Sequence, residues 1–331
     1  MRIIHLIHHA RSFQLMKSFS LARNAVFIGA LAVVLGMLVA CGASTGATST
    51  GPEKPLIAKD ANGTAIVIPT KAPQRIISLG AVDSEILGAL HVDSRVIAVD
   101  NYTDYPPDMA AKQKITDASG NANVEEIVAL QPDLVLSYGG ETKTTDSKLE
   151  QAGIQVVDLP ALDLDGSLTE IQVIGQLVHA ESAANALVAS MKAKIAAVKK
   201  AVAGAPLVTV YMEVGYTPPP PFAYGGGSYG DTLITDAGGI NIFHNQTANG
   251  GYPEVSSESI IAANPQVIIL TGGPQYSGTP ASVAQRPGWS VISAVKNHRV
   301  YALNPDIVQR PGPRIVEALE EIAKLLHPDR F

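Results

Sequence analysis

Val124-Glu125-Glu126-Ile127-Val128-Ala129-Leu130-Gln131-Pro132-Asp133-Leu134-Val135-Leu136 aligns without a gap against Ser257-Glu258-Ser259-Ile260-Ile261-Ala262-Ala263-Asn264-Pro265-Gln266-Val267-Ile268-Ile269, and Gly139-Gly140 then matches Gly272-Gly273. Each copy reads as a short helix stopped by proline, a buried strand and a glycine turn. The offset of 133 residues is far longer than a solenoid period, so it predicts a duplicated lobe and not a repeat array. Between the copies, residues 181–202 place Ala184, Leu187, Val188, Met191, Ile195, Val198 and Val202 at helical spacing with no Gly or Pro. That predicts one helix of about 33 Å at roughly 1.5 Å per residue, long enough to bridge two lobes. Lys192, Lys194, Lys199 and Lys200 lie toward its end, where the helix dipole favours cations.

Working outward, β-branched runs at 75–79, 95–99, 133–136 and 155–159, then at 207–212, 266–270 and 299–303, alternate with helical patterns. Strands separated by helices argue an α/β fold, here two lobes with largely parallel sheets joined by a single long rigid helix. The expected division is an N-terminal lobe over 56–180, the helix over 181–203 and a C-terminal lobe over 204–331. With 331 residues, 46% hydrophobic and 16% charged, the chain can bury a large core and is not a disordered tail. Residues 1–40 carry Arg2, Arg11, Lys17 and Arg23 and no acid, so without them the formal net charge moves from −6 to about −10. Such a body repels phosphate backbones, which excludes nucleic acid as a partner.

The basic segment ending at Arg23 runs into an uncharged apolar stretch over 25–39, the pattern of a secretory signal peptide over 1–40. At about 23 Å as a helix, that stretch is short of the roughly 30 Å hydrocarbon core. It stops at Leu38-Val39-Ala40-Cys41, which resembles a bacterial lipobox, with Cys41 as the lipidated first mature residue. Cys41 is the only cysteine, so disulfide frameworks and multi-cysteine metal sites are excluded. Gly, Ser, Thr, Ala and Pro dominate 41–55, a flexible tether that would hang the body outside the membrane.

The body over 56–331 resembles the solute-binding proteins of ABC importers for vitamin B12 and iron complexes. The resemblance rests on Pro73-Gln74-Arg75-Ile76-Ile77-Ser78-Leu79, 123–136, Ala237-Gly238-Gly239-Ile240-Asn241-Ile242-Phe243, 252–258 and Arg310-Pro311-Gly312-Pro313-Arg314. It implies a class III periplasmic-binding-protein-like architecture with ligand held in the interlobe cleft and little hinge motion. It further implies a lipid-anchored component of the cell membrane, monomeric when free and without enzymatic activity or a cofactor of its own. Its partners would be ABC permease and ATPase subunits, and its cargo a small molecule. Within the family the chain looks closest to the B12 binders, through Asn101-Tyr102-Thr103-Asp104-Tyr105-Pro106-Pro107 and Pro265-Gln266-Val267-Ile268-Ile269-Leu270-Thr271-Gly272-Gly273-Pro274. It departs in having one tryptophan, Trp289, in a Pro-Gly-Trp turn that reads as packing. Cobalamin therefore leads ferric siderophores and heme as the expected ligand, with tyrosines in place of tryptophan.

Loops at the C-terminal ends of parallel strands are where α/β proteins place ligands. That rule singles out Tyr102, Asp104 and Tyr105 after the second strand, Tyr138 after the third, and Tyr216, Phe222, Tyr224 and Tyr229 after the first strand of lobe two. Aromatic rings give broad rigid contact to a flat macrocycle, although any single tyrosine is more often a packing residue. Arg310 is a candidate cationic contact; its plain alternative is packing at a helix start. Glu125 and Glu258 hold equivalent repeat positions near helix starts, where a carboxylate complements the dipole without any partner. In the family, glutamates at the matching positions dock onto permease arginines, so docking is the expectation here. Gly226-Gly227-Ser228-Tyr229-Gly230 matches the G-x-S-x-G nucleophile elbow, with Asp306 and His327 following in hydrolase order. The prolines at 218–221 leave little room for the strand an elbow requires, so a secreted serine hydrolase is the weaker reading. Ser228 and its glycines instead suggest a backbone anion site at a helix start near Asp231, and a purely structural turn stands beside that. His91, His179, His244, His298 and His327 form no close ligand motif, so no metal site is expected.

Overall fold

The computed structural model describes residues 54–138, 143–159, 163–216 and 220–331. The expected leader, Cys41 and nearly all of the tether lie outside the described residues. In the first half, β1 (Ile76–Ser78), β2 (Val96–Val99), β3 (Gln113–Lys114), β4 (Leu134–Ser137) and β5 (Val156–Asp158) form one sheet in the order β3-β2-β1-β4-β5. Every pairing in it is parallel. All residues of β1, β4 and β5 are buried, as short apolar strands covered on both faces must be. Helices α1 (Ala81–Ala89), α2 (Val124–Ala129), α3 (Lys143–Gln151) and α4 (Leu164–Leu177) connect and follow these strands.

The helix expected between the copies is present as α5 (Glu181–Val202). Beyond it come β6 (Val208–Gly215), β7 (Phe222–Ala223), α6 (Tyr229–Asp236), β8 (Gly239–Asn241), α7 (Ser257–Ala263), β9 (Val267–Leu270), β10 (Val300–Ala302) and α8 (Ile315–Leu326). The second sheet runs β10-β9-β6 in parallel, with β8 parallel and β7 antiparallel on the other side of β6. Helix α5 packs against α4 of the first half and α8 of the second, burying Ala184, Val188, Met191, Val198 and Val202.

The repeat holds to the level of caps and turns. Asn123 and Ser256 accept from the backbone N–H three residues on, at 3.2 and 3.1 Å, satisfying a helix-start donor in each copy. Each helix is left through a residue of positive φ directly before proline, Gln131 at 49° and Asn264 at 46°. Strands β4 and β9 then each lie beside the first strand of their half, with β5 and β10 beyond. The expected strand centres are correct while several ends move: Arg95 closes a 3-10 turn, and the 207–212 strand runs on to Gly215. Strand β3 carries no β-branched signal in the sequence because Gln113-Lys114 is polar, as a short edge strand can be.

Two buried acids of the first half meet, Asp83 on α1 and Glu170 on α4. Burial is the main cause pushing both above the usual carboxylate range; Asp83 and Asp158 push Glu170 further, whereas the hydrogen bond with Glu170 pulls Asp83 partly back against the push of Asp158 and Asp100. The pair titrates as a unit. An acid whose folded pKa exceeds its unfolded value costs nothing below the unfolded value and destabilises as pH rises toward the folded one. Glu170→Gln should therefore raise the melting temperature at pH 8 and lose that advantage near pH 4, in thermal melts across this range. An equal shift at both ends would contradict the assignment.

Candidate functional site

Loops from the strand ends of both sheets meet along one seam. From the first half come the 100–106 loop after β2 and Tyr138 after β4; from the second come the 224–230 turn, Thr271 after β9 and the 309–314 turn. Arg310 crosses this seam as a fork on the Asp104 carboxylate, one arm at 3.1 Å, and also donates to the Tyr102 carbonyl at 3.2 Å. Asp306, on its own side, pairs with it at 3.0 Å. Arg314 crosses as well: its Nε and Nη2 lie 3.0 and 2.8 Å from Glu85 Oε2, and its backbone N–H donates to Glu85 Oε1 at 3.1 Å. The Arg314 guanidinium also covers the Tyr105 ring, 3.9 Å from its centroid.

Beside these bridges stands a tyrosine cluster. Tyr224, Tyr229 and Tyr252 pack edge-on in pairs, with centroids 5.5, 5.6 and 6.2 Å apart. The Tyr224 hydroxyl lies 3.4 Å from both Tyr229 Oη and Thr271 Oγ1. Burial pushes all three phenols above the usual tyrosine range, and Tyr138 from the first half adds to the push on Tyr229 and Tyr252. They therefore stay neutral and serve as hydrogen-bonding groups rather than phenolates. In sequence Tyr252 follows a Gly-Gly pair, and a tyrosine there carries no contact signal of its own.

Several candidates lie elsewhere than expected. Tyr224 has no exposed surface and Tyr229 almost none, so in this conformation both brace the seam from behind. Tyr216 is taken up in packing: its ring meets Trp289 edge-on at 5.9 Å and lies 3.9 Å beneath the Arg286 guanidinium. Phe222 is half-buried in β7. Tyr102 donates its hydroxyl to the Ala118 carbonyl at 3.1 Å, while Tyr105 keeps an exposed edge. Arg310 is at the seam, already held by carboxylates.

Ser228 is neither nucleophile nor part of an empty anion site. It is buried, donates to the Gly225 carbonyl at 2.7 Å and accepts from the Asp231 N–H at 3.2 Å, capping α6. His327 faces the Gly238 carbonyl at 3.2 Å and Asp306 faces Arg310, so the hydrolase trio is not assembled. The helix start is closed by the Asp231 carboxylate, which holds Asn241 Nδ2 at 2.8 Å and His244 Nδ1 at 2.9 Å. The glycines have packing reasons: a Cβ on Gly226 would meet the His244 carbonyl oxygen at 2.0 Å, and one on Gly230 would meet the Tyr224 ring at 2.2 Å. Ser228→Ala should cost about 1 kcal/mol of stability through the lost cap. A serine-directed probe should label neither the protein nor the variant, and labelling of Ser228 would reinstate the elbow.

Glu125 and Glu258 are the second residues of α2 and α7, and both are exposed. Among the described residues no group of three or more His, Cys, Asp and Glu is arranged to hold a metal ion, and no helix is long and apolar enough to cross a membrane.

The sequence profile described as periplasmic binding protein matches residues 76–307. An uncharacterized ABC transporter substrate-binding lipoprotein of Bacillus subtilis, YvrC, is 33% identical over 287 residues, 84% of this chain and 87% of that one. A cobalamin-binding protein of Halobacterium salinarum is 30% identical over 284 residues, 82% of this chain and 74% of its own. A crystal structure of a possible iron-binding, periplasmic solute-binding protein of Staphylococcus epidermidis superposes with a TM-score of 0.69 at 31% identity, covering 78% of this chain and all of that one.

Proposed function

The chain belongs to the periplasmic binding protein family as a substrate-binding protein of an ABC importer, a transport component and not an enzyme, and from that premise we propose that it captures cobalamin in the interlobe seam while anchored to the membrane through Cys41. The observation that carries the ligand assignment is the aromatic lining left at the strand ends of the two sheets, the partly exposed Tyr105, Tyr138 and Tyr252, with Tyr224 and Tyr229 packed behind Tyr252. Phenol rings supply flat apolar contact and uncharged hydroxyls, which suit a corrin rimmed with amides. A relative 30% identical to this chain carries the name cobalamin-binding protein, which favours the same cargo over a ferric siderophore or heme. The exposed carboxylates Glu125 and Glu258, repeated on both halves, are the proposed contacts to the permease, whose ATPase partners drive transport. The lobes are proposed to divide at α5, over 56–180, 181–203 and 204–331.

Uptake in cells tests this function. Removing the protein should abolish accumulation of labelled cyanocobalamin and leave ferric siderophore and heme uptake intact; the reverse pattern overturns the cobalamin assignment. Cys41→Ser should release the protein from the membrane fraction, and retention would refute the anchor.

A further inference from the structure

The two arginines that reach the seam from the Arg310-Pro311-Gly312-Pro313-Arg314 turn are both consumed by the opposite half. Arg310 is one-tenth exposed and forks onto Asp104. Arg314 grips Glu85, itself only 3% exposed, through three donors. Asp306 and the buried Asp100 add further negative charge around Arg310, and Lys114 nearby is turned to the Thr103 carbonyl. The seam thus holds Glu85, Asp100, Asp104 and Asp306 against Lys114, Arg310 and Arg314, one carboxylate in excess.

We propose that the Arg310–Asp104 and Arg314–Glu85 bridges act as a charge filter that selects an uncharged, amide-bearing ligand and rejects one that presents carboxylates. This rests on the reading that ligand binds in the seam. An anionic group can take a guanidinium here only by displacing the resident carboxylate, and displaced Glu85 is left as a buried charge without a partner. If it leaves the bridges intact, it enters a seam of net negative charge and pays desolvation without a counter-ion. A primary amide of the same shape meets neither penalty, because it can hydrogen-bond to the partly exposed phenols of Tyr105 and Tyr252 and to the outer lone pairs of the bridged carboxylates. Specificity of this kind comes from what the site withholds as much as from what it offers.

Cyanocobalamin and its monocarboxylate derivatives, in which one side-chain amide is hydrolysed, differ in charge at nearly constant shape. The filter predicts that the protein binds the amide form at least tenfold more tightly than the carboxylate form of the seam-facing side chain. The double variant Glu85→Gln/Asp104→Asn, which removes both cross-seam carboxylates and leaves Arg310 only its Asp306 pair, should bring that ratio to unity or below. Because the readout is a ratio on one folded protein, a general loss of affinity does not imitate it. Equal affinity for the two forms in the wild type, or a ratio the variant leaves unchanged, overturns the filter. Should no corrinoid bind, a neutral ferric trihydroxamate is compared with an anionic ferric tricatecholate. Preference for the neutral complex upholds the filter while the cobalamin reading fails, and preference for the anion, or binding of neither, overturns the filter.

Discussion

Alanine at both Glu125 and Glu258 is expected to abolish delivery of ligand to the membrane while leaving ligand affinity within about twofold of wild type. Both carboxylates are exposed, and both sit one residue into helices that correspond across the duplication. Each is therefore available to a partner without any rearrangement of the fold. Close charge pairs across protein interfaces couple by about 1.5 kcal/mol or more, and about 1.4 kcal/mol is a factor of ten. Each substitution alone should then weaken association with the permease about tenfold, and the pair about a hundredfold, with steeper salt dependence for the wild type than for the variants. Transport into membrane vesicles, measured beside ligand titration of the same preparations, checks this. Loss of ligand affinity with transport defects in proportion would sink the docking assignment.

Arg286→Ala should be the most destabilising single change outside the hydrophobic core. The Glu213 carboxylate lies wholly buried in β6, held by Arg286 through contacts of 2.7 and 3.0 Å and by the Tyr211 hydroxyl at 3.1 Å. Arg286 also donates to the Ser277 carbonyl at 2.6 Å and lies over the Tyr216 and Trp289 rings. Removing it leaves a buried charge alone, at a cost of about 3 to 5 kcal/mol, or roughly 6 to 20 °C in melting temperature for a body of this size. Burial already pushes Glu213 above its ordinary range while Arg286 pulls it back. Without the arginine the folded pKa climbs further, so the charge-dependent part of the loss is absent below the unfolded carboxylate pKa and grows as pH rises, on top of a pH-independent part from the lost Ser277, Tyr216 and Trp289 contacts. The double change Glu213→Gln/Arg286→Met should recover much of the loss, as neutral replacement of buried ion pairs commonly does. Thermal melts between pH 4 and pH 8 read all three; a loss for Arg286→Ala that is independent of pH would contradict the account.

Local periodicity and local punctuation made part of this molecule legible in advance. The 181–202 helix needs nothing but its own apolar stripe, and the repeated helix-proline-strand unit needs only thirteen consecutive residues. What stayed hidden is long-range. Arg310 and Asp104 stand 206 positions apart, and Arg314 and Glu85 229, so sequence could name the arginines as seam residues but not show them already occupied. Tyr224 reads in sequence like any aromatic beside a glycine turn; that it is packed inward, wholly buried with the missing Cβ of Gly230 making room for its ring, is visible only in three dimensions. Ser228 illustrates the converse. Its spacing fits a nucleophile elbow, but the same serine before a helix is also a cap, and the hydrogen bonds decide for the cap.

The central claim is that the seam between the two sheets receives a neutral corrinoid, and isothermal titration of residues 54–331 with cyanocobalamin tests it most directly. Saturable heat is expected at one ligand per chain, weakened at least tenfold by Tyr252→Ala, whose half-buried ring packs on Tyr224 and Tyr229 and is close enough to Tyr138 of the first half to feel its phenol. Absence of heat with cyanocobalamin, together with saturable binding of a ferric complex, would contradict it.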